Sequence, residues 1–420
     1  MKSAHDESPA CADGRGTSSG RDIGALFRCH GEAYRRANSL GAMERRALRD
    51  ISVCRTGALG GHRDVCGRCG HERIVYNSCR NRSCPKCQAL KQARWVAARM
   101  QRALPVRHFH VVFTLPAELR PLVHEREALL LDLLFATASE TILELGRDPK
   151  RIGALLGVTG VVHTWARNLS FHPHLHCIVT GGGLGADGVW VDSPEKFLLP
   201  VKILGKLFRG KFLAGLSRLF DAGKLAPGPR TKQAVTDLVE PTAFARLHDA
   251  LYEKDWVVYA KTPFRKPDAL FRYLGLYTHR VAISNHRLLH VDDHEVVFRT
   301  RGKQVCRLTP LEFMRRFLLH VLPRGFVKIR HFGLYSAGNI HSKLDVARAS
   351  IESSQRLPGE SAPQPAAPLA QEIAELDWRD LFHRLTGIDL GVCPDCGGPM
   401  MDGVLASAGQ SARAPPPDSS

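Results

Sequence analysis

The spacing of apolar positions divides the chain before any motif is read. A helical period runs from Ile23 to Leu48 through Leu26, Phe27 and Tyr34, among many arginines. A second uninterrupted run of helix formers extends from Gln88 to Leu104 and stops at Pro105. Strand-like alternation follows at His108 to Leu115 and Gly160 to Trp165, separated by a Leu-rich helix from Glu125 to Leu145. The third strand covers His172 to Thr180, and Gly181-Gly182-Gly183 reads as the turn that closes it. Lys202 to Phe220 and Thr242 to Glu253 carry helical periods, Trp256 to Tyr259 is a short strand, and a helix opens after Pro267-Asp268. Strands at Leu288 to Arg299 and Lys328 to Phe332 complete the expected core. This order predicts an α+β fold in which a cysteine-rich N-terminal module precedes an antiparallel sheet flanked by helices. The expected divisions are a disordered leader (1–20), the cysteine module (21–104), the sheet domain (105–345), a linker containing Pro/Ala-rich sequence (346–370) and a tail (371–420).

A length of 420 residues permits two or three such units. Charge narrows the choice of partner: 59 Lys+Arg against 41 Asp+Glu give a formal charge of +18, which favours a polyanion, nucleic acid first and a membrane surface second. The longest apolar stretch, around Ala128 to Ala138, is broken by Asp132 and is far shorter than a membrane span, and residues 1–21 lack the apolar core of a secretory signal. A cytosolic protein is expected, so the clustered cysteines among the 12 are read as metal ligands rather than disulfides.

Cys66-x2-Cys69 and Cys84-x2-Cys87 have the spacing of two knuckles that share one tetrahedral ion, with zinc the expected metal. Cys54, His62, His71 and Cys79 lie in the same block and offer a second set of ligands. A four-thiolate shell has no open position for substrate, so the zinc is structural. It would aim the following helix, where Lys91, Arg94, Arg99 and Arg102 form one basic arc, at a phosphate backbone. In the tail, Cys393-Pro-Asp-Cys396 is half a knuckle, readable either as two ligands without partners or as a turn.

In the third strand the period of two places His172, His174 and His176 on one face, opposite Phe171, Leu175, Cys177 and Val179. Alternating imidazoles on an apolar strand each need a partner, and a divalent metal supplies one. The helix after Asp268 carries Tyr273 and Tyr277 one turn apart on one side. With Arg272, His279, Arg280, Asn285, His286 and Arg287 around them, that side reads as an anion-binding surface.

Taken in order, these stretches resemble the rolling-circle transposases of the insertion-sequence 91 type. The resemblance spans about residues 25 to 345 and is carried by CRTGALGGH (54–62), CGRCGHERIVYNSCRNRSCPKCQ (66–88), HTWARNLSFHPHLHCIVTGGGL (163–184) and YLGLYTHRVAISN (273–285). It implies an HUH-nuclease-like sheet domain behind a zinc-binding module, in a bacterial, nucleoid-associated protein. His174 and His176 would be the metal-binding motif, His172 or His163 the source of a third ligand, and Tyr273 and Tyr277 the nucleophiles. The implied chemistry is nicking of single-stranded transposon ends and of target DNA, assisted by Mg²⁺ or Mn²⁺, through a 5′-phosphotyrosine. Two positions depart from the pattern: Ser83 stands where relatives carry a histidine, and Leu276 where an arginine precedes the second tyrosine. Plasmid replication initiators and relaxases share this nicking chemistry, although the cysteine block argues against them. A noncatalytic zinc-dependent regulator would require the histidine strand and tyrosine helix to be purely structural.

Overall fold

The computed structural model describes residues 22–226, 233–264, 282–355, 373 and 375–404. The first helical period is two helices, α1 (Ile23–Ala37) and α2 (Ala42–Ser52), because Asn38 and Gly41 adopt extended backbone between them. Asp22 caps α1 by accepting from the Gly24 N–H at 3.2 Å. The module continues with β1 (Gly61–Cys66), β2 (Glu72–Tyr76) and α3 (Ala89–Arg102). The sheet domain runs β3 (His108–Thr114), α4 (Arg120–Glu125), α5 (Glu127–Arg147), β4 (Leu155–Trp165), β5 (Phe171–Leu184), β6 (Trp190–Asp192), α6 (Val201–Asp221), α7 (Gln233–Leu238), α8 (Pro241–Glu253) and β7 (Val258–Phe264). After residue 281 come β8 (Leu288–Val291), β9 (Val296–Arg299), β10 (Val305–Leu308), α9 (Pro310–Leu318), β11 (Ile329–Gly333) and α10 (Lys343–Gln355). The C-terminal segment supplies α11 (Trp378–Thr386) and β12 (Met400–Val404). The fold is α+β.

Antiparallel pairing orders the central sheet β11-β4-β5-β3-β7, with β6 beside the far end of β5. Alternation along its strands divides the two faces. Phe109, Val111 and Phe113 of β3, Val158 and Val162 of β4, and Leu175, Cys177 and Val179 of β5 share one apolar core with α5 and α6. Gly160 lies on this face, and a Cβ there would come within 3.1 Å of the Phe135 ring, so its absence lets α5 approach the sheet. The other face carries the histidines. The three glycines expected to form a turn instead continue β5 into its pairing with β6. Added Cβ atoms would lie 2.8 Å from the Arg107 carbonyl at Gly181, 2.6 Å from that of Val191 at Gly182, and 2.6 Å from that of Leu155 at Gly183. Neighbouring backbone fills the space that side chains would need.

A second core joins regions far apart in sequence. Ile23, Leu26, Phe27, Leu48 and Ile51 of α1 and α2 pack with Phe298 of β9 and with Phe313 and Phe317 of α9. The Phe27 and Phe317 rings meet edge to face at 5.2 Å. The expected strand at Leu288 to Arg299 is here a hairpin, β8–β9, extended by β10. Arg82 reinforces the junction with the sheet domain by donating to the carbonyls of Phe326 (2.9 Å) and Leu322 (2.8 Å). The span expected to be a linker starts as helix: α10 runs to Gln355 and buries Leu344, Ala347 and Ile351. The tail also folds back, since β12 pairs with β1.

His320, just after α9, shows what this packing demands. It is buried, with Nδ1 3.1 Å from the Thr164 hydroxyl and Nε2 3.1 Å from the Leu169 carbonyl. Burial, with a smaller contribution from the nearby His124, pushes its pKa down to about 3. The unfolded chain, with an ordinary histidine pKa near ~6.5, therefore binds a proton that the fold refuses. This contribution to stability is complete above the unfolded pKa and is lost as pH falls towards 3. His320→Gln should flatten the fall in unfolding free energy between pH 6 and 4 by about 1.4 kcal/mol per pH unit, read from urea titrations at each pH. An unchanged slope would mean that His320 is protonated in the fold.

Candidate metal centres

The cysteine block makes two clusters, not one. Cys84 and Cys87 are joined by Cys54 and Cys79, whereas Cys66 and Cys69 are joined by Cys393 and Cys396 from the tail. The expected grouping of Cys66, Cys69, Cys84 and Cys87 about one ion is therefore corrected. The reason is topological: β1 carries Cys66 into a small sheet, β12-β1-β2, while Cys54 and Cys84 are buried in the second core. His62 and His71 join neither cluster. They face carboxylates, His62 at 3.6 Å from Asp64 and His71 at 2.6 Å from Asp395. Ser83 is dispensable to the first cluster, which has four thiols without it; its N–H donates to the Asn81 side chain at 2.9 Å.

The sulfur geometry fits zinc. In the first cluster, Cys54 lies 3.3 Å from Cys87 and 3.5 Å from Cys84, and Cys79 lies 3.7 Å from Cys87. Four thiolates about ~2.3 Å from a tetrahedral ion would stand about 3.8 Å apart, whereas a disulfide needs about 2.05 Å. Hydrogen bonds from Cys79 and Cys84 hold the Cys54 thiol down to about 7. Backbone N–H groups of Cys69 and Arg68 hold Cys66 down to about 6. Their partners move the other way, Cys79 and Cys84 in the first cluster and Cys69 and Cys396 in the second being pushed up, so the spacing of the sulfurs carries the fit to zinc.

A third candidate centre stands on the polar face of the main sheet. His163 of β4 is directly opposite His174 of β5, and His176 is two residues further along. Their ligand nitrogens lie within 4.8 Å of one another, which suits the imidazole donors of one divalent ion. His174 Nδ1 donates to the His172 carbonyl at 2.6 Å, leaving Nε2 as the lone-pair donor, and burial pushes the ring down to about 4, so it is neutral. His172 is turned to another partner: Arg120 donates to its Nδ1 at 3.1 Å. Of the two residues expected to offer a third ligand, the structure brings only His163 to the pair.

Sequence reasoning missed two neighbours. His110 of β3 places Nε2 2.8 Å from His176 Nδ1, with the rings stacked at 5.0 Å. Lys328 lies over the Trp165 ring at 4.8 Å, and that ring stacks on His163 at 4.3 Å. The alternation of His108 and His110 was a usable signal for the first; a lone lysine offered none. Of the basic arc on α3, Lys91, Arg94 and Arg102 are exposed, while Arg99 is half-buried with its guanidinium 5.8 Å from the Trp95 ring. Trp95, Val96 and Met100 of α3 pack on Val161, Ile178 and Ile329. Val161 and Ile178 belong to the histidine side of β4 and β5, so the basic helix lies on the same face as the three imidazoles. Tyr273, Tyr277 and Arg280 lie outside the described residues.

Comparison with known proteins matches residues 157–343 to the family described as "Putative transposase" and residues 26–115 to the "Transposase zinc-binding domain". The chain is 42% identical over 389 residues to "Putative transposase y4qJ" of Sinorhizobium fredii, covering 90% of this chain and 93% of the relative. This chain is a transposase of the insertion-sequence 91 type. It is also 28% identical over 307 residues to the "Transposase for insertion sequence element IS801" of Pseudomonas savastanoi pv. phaseolicola, covering 69% of this chain and 72% of the relative. No solved structure matches the transposase. Among the described residues, no helix is long and apolar enough to cross a membrane.

If His176 ligates an ion through Nε2, its Nδ1–H donates to His110, which fixes the tautomer and aims the ring. His110→Phe keeps the ring and removes the acceptor. It should weaken Mn²⁺ binding by roughly 10–100-fold in a calorimetric titration, and His110→Gln should recover part of the loss. Equal affinity in all three proteins would assign His110 to packing alone.

Proposed function

We propose that the transposase nicks single-stranded DNA at the ends of its element and transfers the strands in rolling-circle transposition through a 5′-phosphotyrosine, with Tyr273 and Tyr277 as nucleophiles. The observation that carries this reading is the convergence of His163, His174 and His176 from adjacent strands onto one polar face. The three imidazoles would hold one Mg²⁺ or Mn²⁺, which when bound supplies Lewis-acid polarisation of the scissile phosphate. A tyrosine oxygen gives up its proton and attacks phosphorus, the bond to the 3′ oxygen breaks, and that oxygen takes up a proton, so the released strand carries a free 3′-hydroxyl. With a second tyrosine, one covalent strand is retained while the other end is cut. The phosphotyrosine conserves the phosphodiester bond, so strand transfer needs no ATP.

Lys91, Arg94 and Arg102 would track the phosphate backbone beside this face, and Arg280 would add a contact near the tyrosines. Cys54, Cys79, Cys84 and Cys87 would hold the structural zinc that fixes the start of α3, one residue after Gln88.

Incubation with single-stranded element-end DNA and Mn²⁺ should yield a covalent protein–DNA adduct. Tyr273→Phe combined with Tyr277→Phe should form none, each single variant should nick with impaired strand transfer, and His174→Ala should abolish cleavage. An adduct that persisted in the double variant would place the nucleophile elsewhere. For binding alone, Lys91→Glu with Arg94→Glu should weaken affinity for every sequence and reduce the salt slope by about one to two units. Unchanged salt dependence would mean that this helix face does not meet DNA.

A further inference from the structure

The second cysteine cluster is built from distant parts of the chain. Cys66 meets Cys396 at 3.5 Å and Cys69 meets Cys393 at 3.7 Å, across separations of 330 and 324 residues. The family match ends at residue 115, so the tail half of this cluster lies outside the matched zinc-binding domain.

The two halves are copies of one turn. Each reads Cys-x-x-Cys-Gly, as Cys66-Gly67-Arg68-Cys69-Gly70 and Cys393-Pro394-Asp395-Cys396-Gly397. In both, the glycine N–H donates to the carbonyl of the first cysteine at 3.0 Å. In both, the first cysteine's own N–H donates to the carbonyl five residues on, that of His71 or Gly398, at 2.8 Å. The glycines have φ of +74° and +69°, a conformation that L side chains rarely adopt. The Cys84–Cys87 pair lacks this signature, since Gln88 follows it.

The contacts around the cluster are equally specific. Strand β12 pairs with β1 from His62↔Val404 to Cys66↔Met400, and the Gly67 N–H donates to the Pro399 carbonyl at 3.1 Å. Arg73 bonds the buried Asp64 at 2.7 Å and also donates to the Leu390 carbonyl. A Cβ on Gly398 would lie 3.3 Å from both the Cys66 and Cys396 sulfurs, so the small residue leaves room for the cluster.

We propose that Cys66, Cys69, Cys393 and Cys396 bind a second zinc ion, forming a clasp that ties the C-terminal segment to the N-terminal module across the transposase chain. Neither knuckle supplies more than two ligands, so the site exists only when both ends are in place. Four thiolates fill a tetrahedral shell, which makes the ion structural. Because α11 packs on α3, the clasp also holds the C-terminal helix against the helix that carries the basic arc. The inference depends on neither the tyrosines nor the histidine site, and it fails or stands apart from the nicking reading.

Elemental analysis of the full chain should find two zinc ions, and Cys393→Ser combined with Cys396→Ser should find one. Substitution with Co²⁺ should give a thiolate charge-transfer band that the double variant halves. With a protease site introduced between residues 356 and 372, the cut C-terminal fragment should stay bound in the otherwise unaltered protein until a chelator is added, and should separate at once in the double variant. If that variant does not fold, alkylation of the unaltered protein read by mass spectrometry decides the question. Cys66, Cys69, Cys393 and Cys396 should be protected together and become reactive together on chelation. One zinc in the unaltered chain, two retained in the double variant, or modification of Cys393 and Cys396 while Cys66 and Cys69 stay protected would each overturn the clasp.

Discussion

The period of two along β3, β4 and β5 is the constraint on which the site depends. Leu175, Cys177 and Val179 must enter the core under α5 and α6, and this commits His174 and His176 to the opposite face. Antiparallel register then sets His163 against His174 without any loop to position it. A slip of one residue would turn the imidazoles into the apolar core and expose the aliphatic row, so the core packing enforces the site geometry. The close approach of Phe135 to Gly160 belongs to the same enforcement, because a methyl group at residue 160 would come within 3.1 Å of the Phe135 ring and press α5 away from the strand that carries His163. The precision of this histidine arrangement is inherited from hydrophobic packing.

The zinc-binding module contributes through position more than through chemistry. Its first cysteine cluster sits in the core shared by α1, α2, β9 and α9, and α3 leaves directly from its last ligand pair. Trp95, Val96 and Met100 settle on the histidine face of the sheet, and Lys91 and Arg94 of the same helix are exposed. The formal charge of +18 is thus not spread indifferently over the protein: part of it stands on the same side of the sheet as the imidazoles, where the proposed mechanism would place a phosphate backbone.

Much of this was legible in the sequence, and the failures share a cause. The helices from Glu127 to Arg147 and from Val201 to Asp221, and the strands carrying His110 and His174, follow local periodicity, which sequence displays directly. Pairing across the fold is not local. Cys-x-x-Cys spacing identified the knuckles but could not say which two would meet; the glycine after Cys69 and after Cys396, absent after Cys87, was the available clue. His163 was visible only as a near neighbour, because cross-strand register decides its place. The glycines at 181–183 suggested a turn because glycine usually marks one, yet here they admit the backbones of Arg107, Leu155 and Val191. Nothing in the N-terminal period announced that α1 would pack on α9.

That last contact bears on the chain that flanks the proposed nucleophiles. The segment containing Tyr273 and Tyr277 leaves β7, which pairs with β3 up to Phe264↔His108, and therefore starts from the strand beside His110. It re-enters at Ala282 and Ile283, both buried in the core formed with α1 and α2. Asn285 then exchanges hydrogen bonds with the start of α1, donating to Asp22 at 2.9 Å and accepting from the Ile23 N–H at 3.3 Å. Lys86, next to Cys87, closes the same network by its 2.6 Å ion pair with Asp22. One flank of the tyrosine segment is thus fixed by the sheet that presents the histidines, and the other by the zinc-bearing module. The described residues on either side of the tyrosines thus belong to two different bodies. Under the proposed mechanism the cysteine module would then bear on cleavage without touching the phosphate, through the anchoring of Ala282 to Asn285 against α1.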